Sequence, residues 1–421
     1  MAATPGRTHL EVGEAATQVV AAIAPLDVER IPASDGRGRV LAQAVQSRIS
    51  LPPWNNSAMD GYAVRAADIA TVPAVLPVGE TIAAGGFASR PLRAGEAFRI
   101  MTGAPVPEGA DSVIRVEDTD AGRERVEVRA NRDARKNVRP RGEDIREHTD
   151  ALVAGDVLGP AQLGILAAIG VREVSVHRQP RVAILTSGDE LVPPERFAEA
   201  ADGRKIVSSN SVTIAELVRA AGGVPVDLGI AADTKESLRA HLERATDADL
   251  IITSGGISVG EFDYVRDVLA ELGASLDFWR VRMRPGAPIG FGTLRGTPWI
   301  GLPGNPVSTM VTFELFARPV IRKMLGHATW HRAPVEVTLA KPLSLGADLT
   351  HFLRVTLTRD GMRLVAHLTG PQSSGILSSM ARADALLIVP RGRLEVAAGE
   401  TMFALLLSDG AGHARTPPGS P

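Results

Sequence analysis

From Pro180 onward the chain alternates apolar runs of strand length with segments of helical spacing, and that alternation constrains the fold more than any other feature of its 421 residues. The strand runs are RVAILTSG (181–188), VPVDLGI (224–230), DLIITSGG (249–256) and SLDFWRVRM (275–283). Helical patterns lie between them near Ser211–Ala221, 235–246 and 262–272, and a long helix over Pro306–Leu325 closes the series. A strand that is apolar on both faces needs helices on both sides, so βαβ units around a mainly parallel sheet are predicted.

The flanking segments have another texture. Leu10, Ala15, Val19, Val20 and Ile23 recur at helical spacing, and residues 39–45 suit a short helix or strand. From Leu51 to about Val128, short apolar runs such as VLPVGETI, GEAFRIM, DSVIRV and ERVEVRA are broken by Gly and Pro, which predicts an all-β module. After His331 the runs VEVTLA, FLRVTLT, MRLVAHL, ALLIVP and MFALLL predict a small C-terminal β domain or barrel. The Gly/Pro-rich end from Ser408 is expected to be disordered.

Composition excludes several kinds of chemistry. There is no cysteine, so disulfides, thiolate metal sites, iron–sulfur clusters and cysteine nucleophiles are out. Lys and Arg number 46 against 48 Asp and Glu, and aromatics make up 4%, so neither nucleic acid nor a membrane is expected as a partner. The densest charge run, Arg123–Glu147, mixes nine basic with six acidic residues and reads as a solvated strand edge and loop. His327 and His331 form the closest histidine pair, expected as a solvated surface pair rather than a zinc site. The N-terminus carries no signal-peptide pattern and no run is apolar enough to span a bilayer, so a soluble, cytoplasmic protein is expected.

In a parallel α/β sheet, ligands bind beyond the carboxyl ends of the strands. Three strand ends here carry unusual residues. The first, TSGDEL (186–191), presents Asp189 and Glu190 either as caps of a following turn or as a hard-cation site. The second, TSGGISVGEFDY (253–264), sets Ser254, Gly255, Gly256, Ser258 and Gly260 ahead of a helix. Glycine turns and a helix N-terminus make an anion cradle suited to phosphate. It matches neither GxxxxGK[ST] nor GxGxxG, so neither a Walker-type NTPase nor a dinucleotide dehydrogenase is indicated. Asp263, in the same run, either favours the helix dipole or holds a metal bridging to phosphate.

The third strand end, PWIGLPGNPVS (298–308), places Pro303, Gly304, Asn305, Pro306 and Ser308 in a stiff loop before the long helix. Proline at the first helical position explains Pro306 but not the three residues before it. Arg282 and Arg284 lead into a neighbouring Pro-Gly turn and suit an oxyanion. The residues alone therefore predict a phosphorylated or oxyanionic ligand held with Mg²⁺. They do not name it.

Six motifs in a fixed order carry a resemblance: NSAMDGYAVR (56–65), IMTGAPVPEGAD (100–111), RGED (141–144), SGDEL (187–191), SGGISVGE (254–261) and GLPGNPVS (301–308). Together they resemble the molybdopterin molybdenumtransferases, the MoeA proteins related to the E domain of gephyrin, from near residue 10 to about 408. The resemblance implies a multidomain α/β plus β architecture. A central α/β molybdopterin-binding domain (179–329) with a parallel sheet is expected, together with an N-terminal helical domain (9–46 and 146–178) split by an inserted β module (47–145). A C-terminal β-barrel domain (330–408) and a tail (409–421) complete it.

The resemblance also implies the reaction: molybdate and adenylylated molybdopterin give molybdenum cofactor and AMP, with Mg²⁺. It implies a homodimer with a shared active site, receiving substrate from molybdopterin adenylyltransferase and delivering product to molybdoenzymes. Carried over by motif, the catalytic positions are Asp60, Thr102, Asp144, Glu190, Asp233 and Asp263, with Glu190 and Asp263 as metal ligands. Ser254, Gly255, Gly256, Ser258, Gly260, Arg284, Pro303, Gly304, Asn305, Pro306 and Ser308 are the expected substrate-binding positions.

Two departures stand out. The family's Lys-Pro-Gly-Lys-Pro is Arg284-Pro-Gly-Ala-Pro288 here, so the second charge is lost at Ala287 or moved to Arg282 or Arg280. Asn55 stands where Asp is common. The alternatives are a molybdopterin adenylyltransferase, a non-catalytic molybdopterin-binding scaffold and a tungstate-specific insertase. The β modules speak against the first and the retained acids against the second.

Overall fold

The computed structural model describes residues 7–256 and 264–407. By contacts the chain forms two compact units, one of residues 31–37 and 43–174, the other of the remainder. Ser258, Gly260, Asp263 and the expected tail lie outside the described residues.

The larger unit is built on a seven-stranded sheet. In chain order its elements are β1 (Arg7–Leu10), α1 (Val12–Ala21), β2 (Arg181–Ser187), α2 (Ser209–Ala221), β3 (Val224–Ala231), α3 (Lys235–Leu242), β4 (Leu250–Ser254), α4 (Val265–Glu271), β5 (Ser275–Val281), β6 (Gly290–Leu294), β7 (Thr297–Leu302), α5 (Pro306–Thr312) and α6 (Arg318–Met324). The strand order is β1-β5-β6-β7-β4-β2-β3. Strands β7, β4, β2 and β3 are mutually parallel, and β6 runs antiparallel to both its neighbours.

Alternation along the apolar strands separates two cores. Val182, Ile184, Leu250, Ile252, Ile300 and Leu302 pack with Ile214, Val218, Val311 and Phe316 of the helices on one face. Ala183, Leu185, Ile251 and Trp299 pack with Leu238, Leu242, Val265 and Leu269 on the other. Each fully buried Leu or Ile contributes about 2 kcal/mol, so the strands have to sit between helix layers. The predicted helix 235–246 ends at Leu242, and the one predicted over 262–272 is helical over Val265–Glu271. The predicted long helix runs unbroken from Pro306 to Met324, as α5 and α6 joined by a π-helical stretch, Phe313–Ala317.

Two expectations are corrected here. His327 is buried, at 8% exposure. The segment after α6 folds back on the helix, with Arg322 donating toward the His327 ring (3.1 Å) and to Thr329 O (3.3 Å), and Arg332 to Glu314 (2.6 Å). Burial, then Arg322 and Arg318, pushes the imidazole pKa down to about 4. Of the pair, only His331 is exposed as expected. Arg282 is not a spare charge, because its guanidinium donates to His9 O (2.9 Å) and lies 3.6 Å from Glu11.

Beyond α6 come β8 (Val335–Leu339), β9 (Thr350–Asp360), β10 (Arg363–Leu368), β11 (Ala385–Val389) and β12 (Thr401–Leu406). Pairings β9–β10–β8–β12–β11 return to β9, which closes a five-stranded barrel. Among the described residues no helix is long and apolar enough to cross a membrane.

The smaller unit centres on a five-stranded sheet, in the order Ser112–Arg115, Gly61–Val64, Ala97–Ile100, Ala74–Ile82, Arg125–Val128. Its charge run is mostly exposed, with some pairs within the unit: Arg115 grips Asp133 (2.7 and 3.0 Å) and Arg132 grips Asp118 (2.6 Å twice). Gly61 pairs with Arg115, and a Cβ on it would lie 1.9 Å from Ile114 O. Gly61→Ala is therefore expected to push two paired strands apart and destabilise the protein by about 3 kcal/mol. Thermal denaturation showing an unchanged melting temperature would contradict this.

Candidate active site

The carboxyl ends of four adjacent strands are level, with Ser187 beside Ala231, Thr186 beside Ser254 and Ser254 beside Leu302. They open on a cavity of about 520 Å³ lined by Glu190, Asp233, Ser254, Gly255, Gly256, Pro303, Gly304, Asn305 and Pro306, among others. Eight of the predicted positions of this unit, together with the proposed metal ligand Glu190, thus share one wall system. Ser258, Gly260 and Asp263, outside the described residues, are not placed.

The Ser-Gly-Gly turn is fixed by backbone. Gly255 and Gly256 have φ of +93° and +63°, in the left-handed region that favours glycine. A Cβ on Gly255 would lie 2.6 Å from Ser187 O, and one on Gly256 would lie 2.6 Å from Val265 Cγ2. Gly255 N–H donates to Leu302 O (3.2 Å), which draws this turn against the loop after β7. Ser254 Oγ is buried and donates to Pro303 O (3.1 Å), so its hydroxyl serves the loop.

The acids divide their labour. Asp189 and Asp233 exchange bonds: Asp233 N–H donates to Asp189 Oδ1 (3.0 Å) and Asp189 N–H to Asp233 Oδ2 (3.3 Å). That pair ties the ends of β2 and β3. Glu190 folds its carboxylate back over Gly188, where a Cβ would come within 2.7 Å of Glu190 Oε2. Glu190 and Asp233 offer the oxygen ligands a hard divalent cation prefers. Among the described residues no group of three or more such side chains is close enough to hold a metal alone. The two carboxylates on this wall can therefore supply only part of a cation's ligands.

Arg284 and Ser308 line a second cavity, of about 700 Å³, which reaches to the C-terminal barrel at Leu353 and Arg354. Pro288, Pro303 and Asn305 border both cavities. Ala287 lies in the second, so the departure from Lys removes a charge from that wall. Asn305 is the N-cap of α5 yet makes no side-chain capping bond, and Pro306 takes the first helical position.

Three further wall residues escape a reading by sequence. The buried Oγ atoms of Ser187 and Ser208 and the Oδ1 of Asn210 have no hydrogen-bond partner. All three residues line the same cavity as the glycine turn. Ser187 opens the SGDEL motif, which assigns it no role, and the run Ser208-Ser-Asn-Ser at the start of a helix looks like an ordinary cap. Here Ser208 makes no side-chain capping bond.

In the smaller unit, three motifs meet on one loop. Asp60 Oδ1 accepts both the N–H and the Oγ1–H of Thr102, each at 2.7 Å. These two bonds, the backbone one first, hold the Asp60 carboxyl below the usual carboxylate range. The Asp144 loop is laced to the segment leading into Asp60: Asp144 N–H donates to Leu51 O (3.0 Å), Gly142 N–H to Pro52 O (2.9 Å) and Arg141 N–H to Asn55 Oδ1 (2.8 Å). Asn55 thus serves as an acceptor for backbone, a task its amide oxygen performs without the missing charge.

Comparison with known proteins agrees along most of the chain. Residues 10–170 match the MoeA N-terminal region (domain I and II), 183–323 the probable molybdopterin binding domain and 336–407 the MoeA C-terminal region (domain IV). Molybdopterin molybdenumtransferase 2 of Mycobacterium tuberculosis is 39% identical over 88% of this chain and 92% of its own length. The molybdopterin molybdenumtransferase of Nostoc sp. is 37% identical over 90% and 89%. A crystal structure of the molybdopterin biosynthesis moeA protein from Pyrococcus horikoshii OT3, 27% identical, superposes with a TM-score of 0.81 over 95% of this chain and 100% of its own. With six motifs, three matched regions and this fold in agreement, the chain belongs to the molybdopterin molybdenumtransferase (MoeA) family.

Proposed function

We propose that the protein inserts molybdate into adenylylated molybdopterin, releasing AMP and forming molybdenum cofactor. One observation carries this reading: in a chain of this family, a double-glycine turn, two carboxylates and a stiff Pro-Gly-Asn-Pro loop bound a single cavity. A phosphoanhydride fits such a wall, because a turn of two glycines lets it approach the backbone closely with no side chain intruding. The absence of cysteine is no obstacle, since the dithiolene sulfurs belong to the substrate.

Glu190, with Asp263, would hold the Mg²⁺, and Asp233 lines the same cavity. A bound divalent cation supplies charge neutralisation at the phosphoanhydride. The chain's own part is to seat the anhydride on Gly255 and Gly256, hold Glu190 against Gly188, and stiffen the opposite wall through Pro303 and Pro306. Arg284 and Ser308, in the adjoining cavity, suit the incoming oxyanion.

We take the protein to be a homodimer whose sites combine Glu190 of one protomer with Asp60, Thr102 and Asp144 of the other. Hand-over from an adenylyltransferase and to molybdoenzymes would place it in the cytoplasm. The four-part division into 9–46 with 146–178, 47–145, 179–329 and 330–408 belongs to the same reading.

The direct test is to incubate the protein with adenylylated molybdopterin, molybdate and Mg²⁺, and to follow AMP release and molybdenum retention together. Glu190→Gln is expected to keep the fold and lose about a thousandfold in AMP release, as removal of an ionised oxygen ligand implies. AMP release near the wild-type rate would remove Glu190 from the metal site.

A further inference from the structure

We propose that Asn210, at the N-terminal end of α2, is a positioning residue that clamps the two substrate-facing turns at a fixed separation; this rests on the function proposed above. The clamp is a chain of hydrogen bonds. Asn210 Nδ2 donates to Gly304 O (2.7 Å) and to Ser254 Oγ (3.0 Å). Ser254 Oγ–H in turn donates to Pro303 O (3.1 Å), which also accepts Thr309 Oγ1–H (2.6 Å).

The orientation of the amide follows from chemistry. Gly304 O can only accept, so the group facing it has to be the NH₂. Both Nδ2 protons are then used, and Oδ1 is left as the unpaired atom. No other amide side chain among those bordering this cavity joins the two turns.

The two turns so joined are the ones the reaction needs. Gly255 and Gly256 stand on one side and Pro303 to Pro306 on the other, in contact where a Cβ on Gly304 would lie 3.6 Å from Gly255 Cα. Loosening one against the other by about 1 Å is enough to cost a hundredfold in a reaction that depends on alignment. The bonds are worth less to folding. Gly304 is exposed, so water replaces the amide once it is gone.

The test has two readouts, one independent of substrate. Asn210→Ala is expected to speed amide hydrogen exchange at least tenfold in peptides covering 254–256 and 302–305 of the unliganded protein. It is also expected to weaken binding of adenylylated molybdopterin at least tenfold, with a melting temperature near wild type. Asn210→Asp adds a signature that a merely structural residue would not produce. Ionised, the carboxylate opposes Gly304 O; protonated, it donates to it. Binding by this variant, relative to wild type, is expected to improve at least fivefold from pH 8 to pH 5.5. Taking the ratio to wild type removes the pH dependence the two proteins share, Glu190 and Asp233 lining the cavity in both. Unchanged exchange in Asn210→Ala overturns the clamp. Faster exchange with wild-type affinity, or an Asn210→Asp profile parallel to wild type, overturns its role in positioning. If wild-type protein binds no adenylylated molybdopterin, the function proposed above fails while the exchange result still decides the clamp.

Discussion

Replacing Gly255 by Val is expected to abolish binding of adenylylated molybdopterin while leaving the two compact units folded. Two independent effects combine. The residue sits at φ +93°, which a β-branched side chain adopts only under strain. Its Cβ would also lie 2.6 Å from the backbone oxygen of Ser187, a neighbour that cannot swing aside like a flexible side chain. The turn has to open, and Gly255 N–H leaves Leu302 O. Strain and steric relief together should remove about 2–4 kcal/mol of stability. The larger effect is on the ligand: the Val side chain and the opened turn occupy the wall that the anhydride has to approach, and affinity is expected to fall at least a hundredfold. Gly304→Ala is the internal control for stability. Its Cβ would meet only Gly255 Cα at 3.6 Å, an ordinary contact, and it should melt as wild type does. Calorimetry that finds full affinity in Gly255→Val would remove the turn from the site.

The same turn shows what a sequence discloses. Strand ends with glycines are readable because a buried parallel strand announces itself as an unbroken apolar run, and the residue that ends it is then known to stand at the sheet's mouth. Glu190, Ser254, Gly255, Gly256 and Pro303 were all locatable that way. What escapes is set by long-range contact. Arg7–Leu10 joins the sheet beside β5 although only Leu10 of the four is buried, so no apolar pattern betrays the strand. Asn210 reads as one polar residue in a helix start, and its partners lie 44 and 94 residues away. His327 looks solvated in a stretch rich in polar neighbours until the chain folds back on α6. The substrate lay deeper still. Anion cradles and paired acids define a class of ligand by charge and shape, and only the ordered set of six motifs pointed to molybdopterin.

Mixing two inactive variants is expected to restore about a quarter of wild-type activity if the site is shared between protomers as proposed above. Asp60 and Glu190 belong to different compact units of one chain. Asp60 is held by Thr102 through Oδ1 alone and carries its charge at neutral pH, since both bonds lower its pKa. An exposed, oriented and ionised carboxylate on a stiff loop is suited to act on something outside its own unit. Under the shared-site reading, that something is substrate bound on the partner protomer. Asp60→Ala and Glu190→Ala homodimers should then each be inactive, because every site in either one carries a lesion. Let the subunits exchange. A mixed dimer has one site bearing both lesions and one bearing neither. Random exchange makes about half of the dimers mixed, each with one good site of two, which gives roughly a quarter of full activity. If both acids served the site of their own chain, every site in the mixture would still carry a lesion. Mass measurement of the exchanged dimers, made alongside the AMP-release assay, separates failed exchange from a failed idea: verified mixed dimers without activity would place Asp60 and Glu190 in the same chain's site.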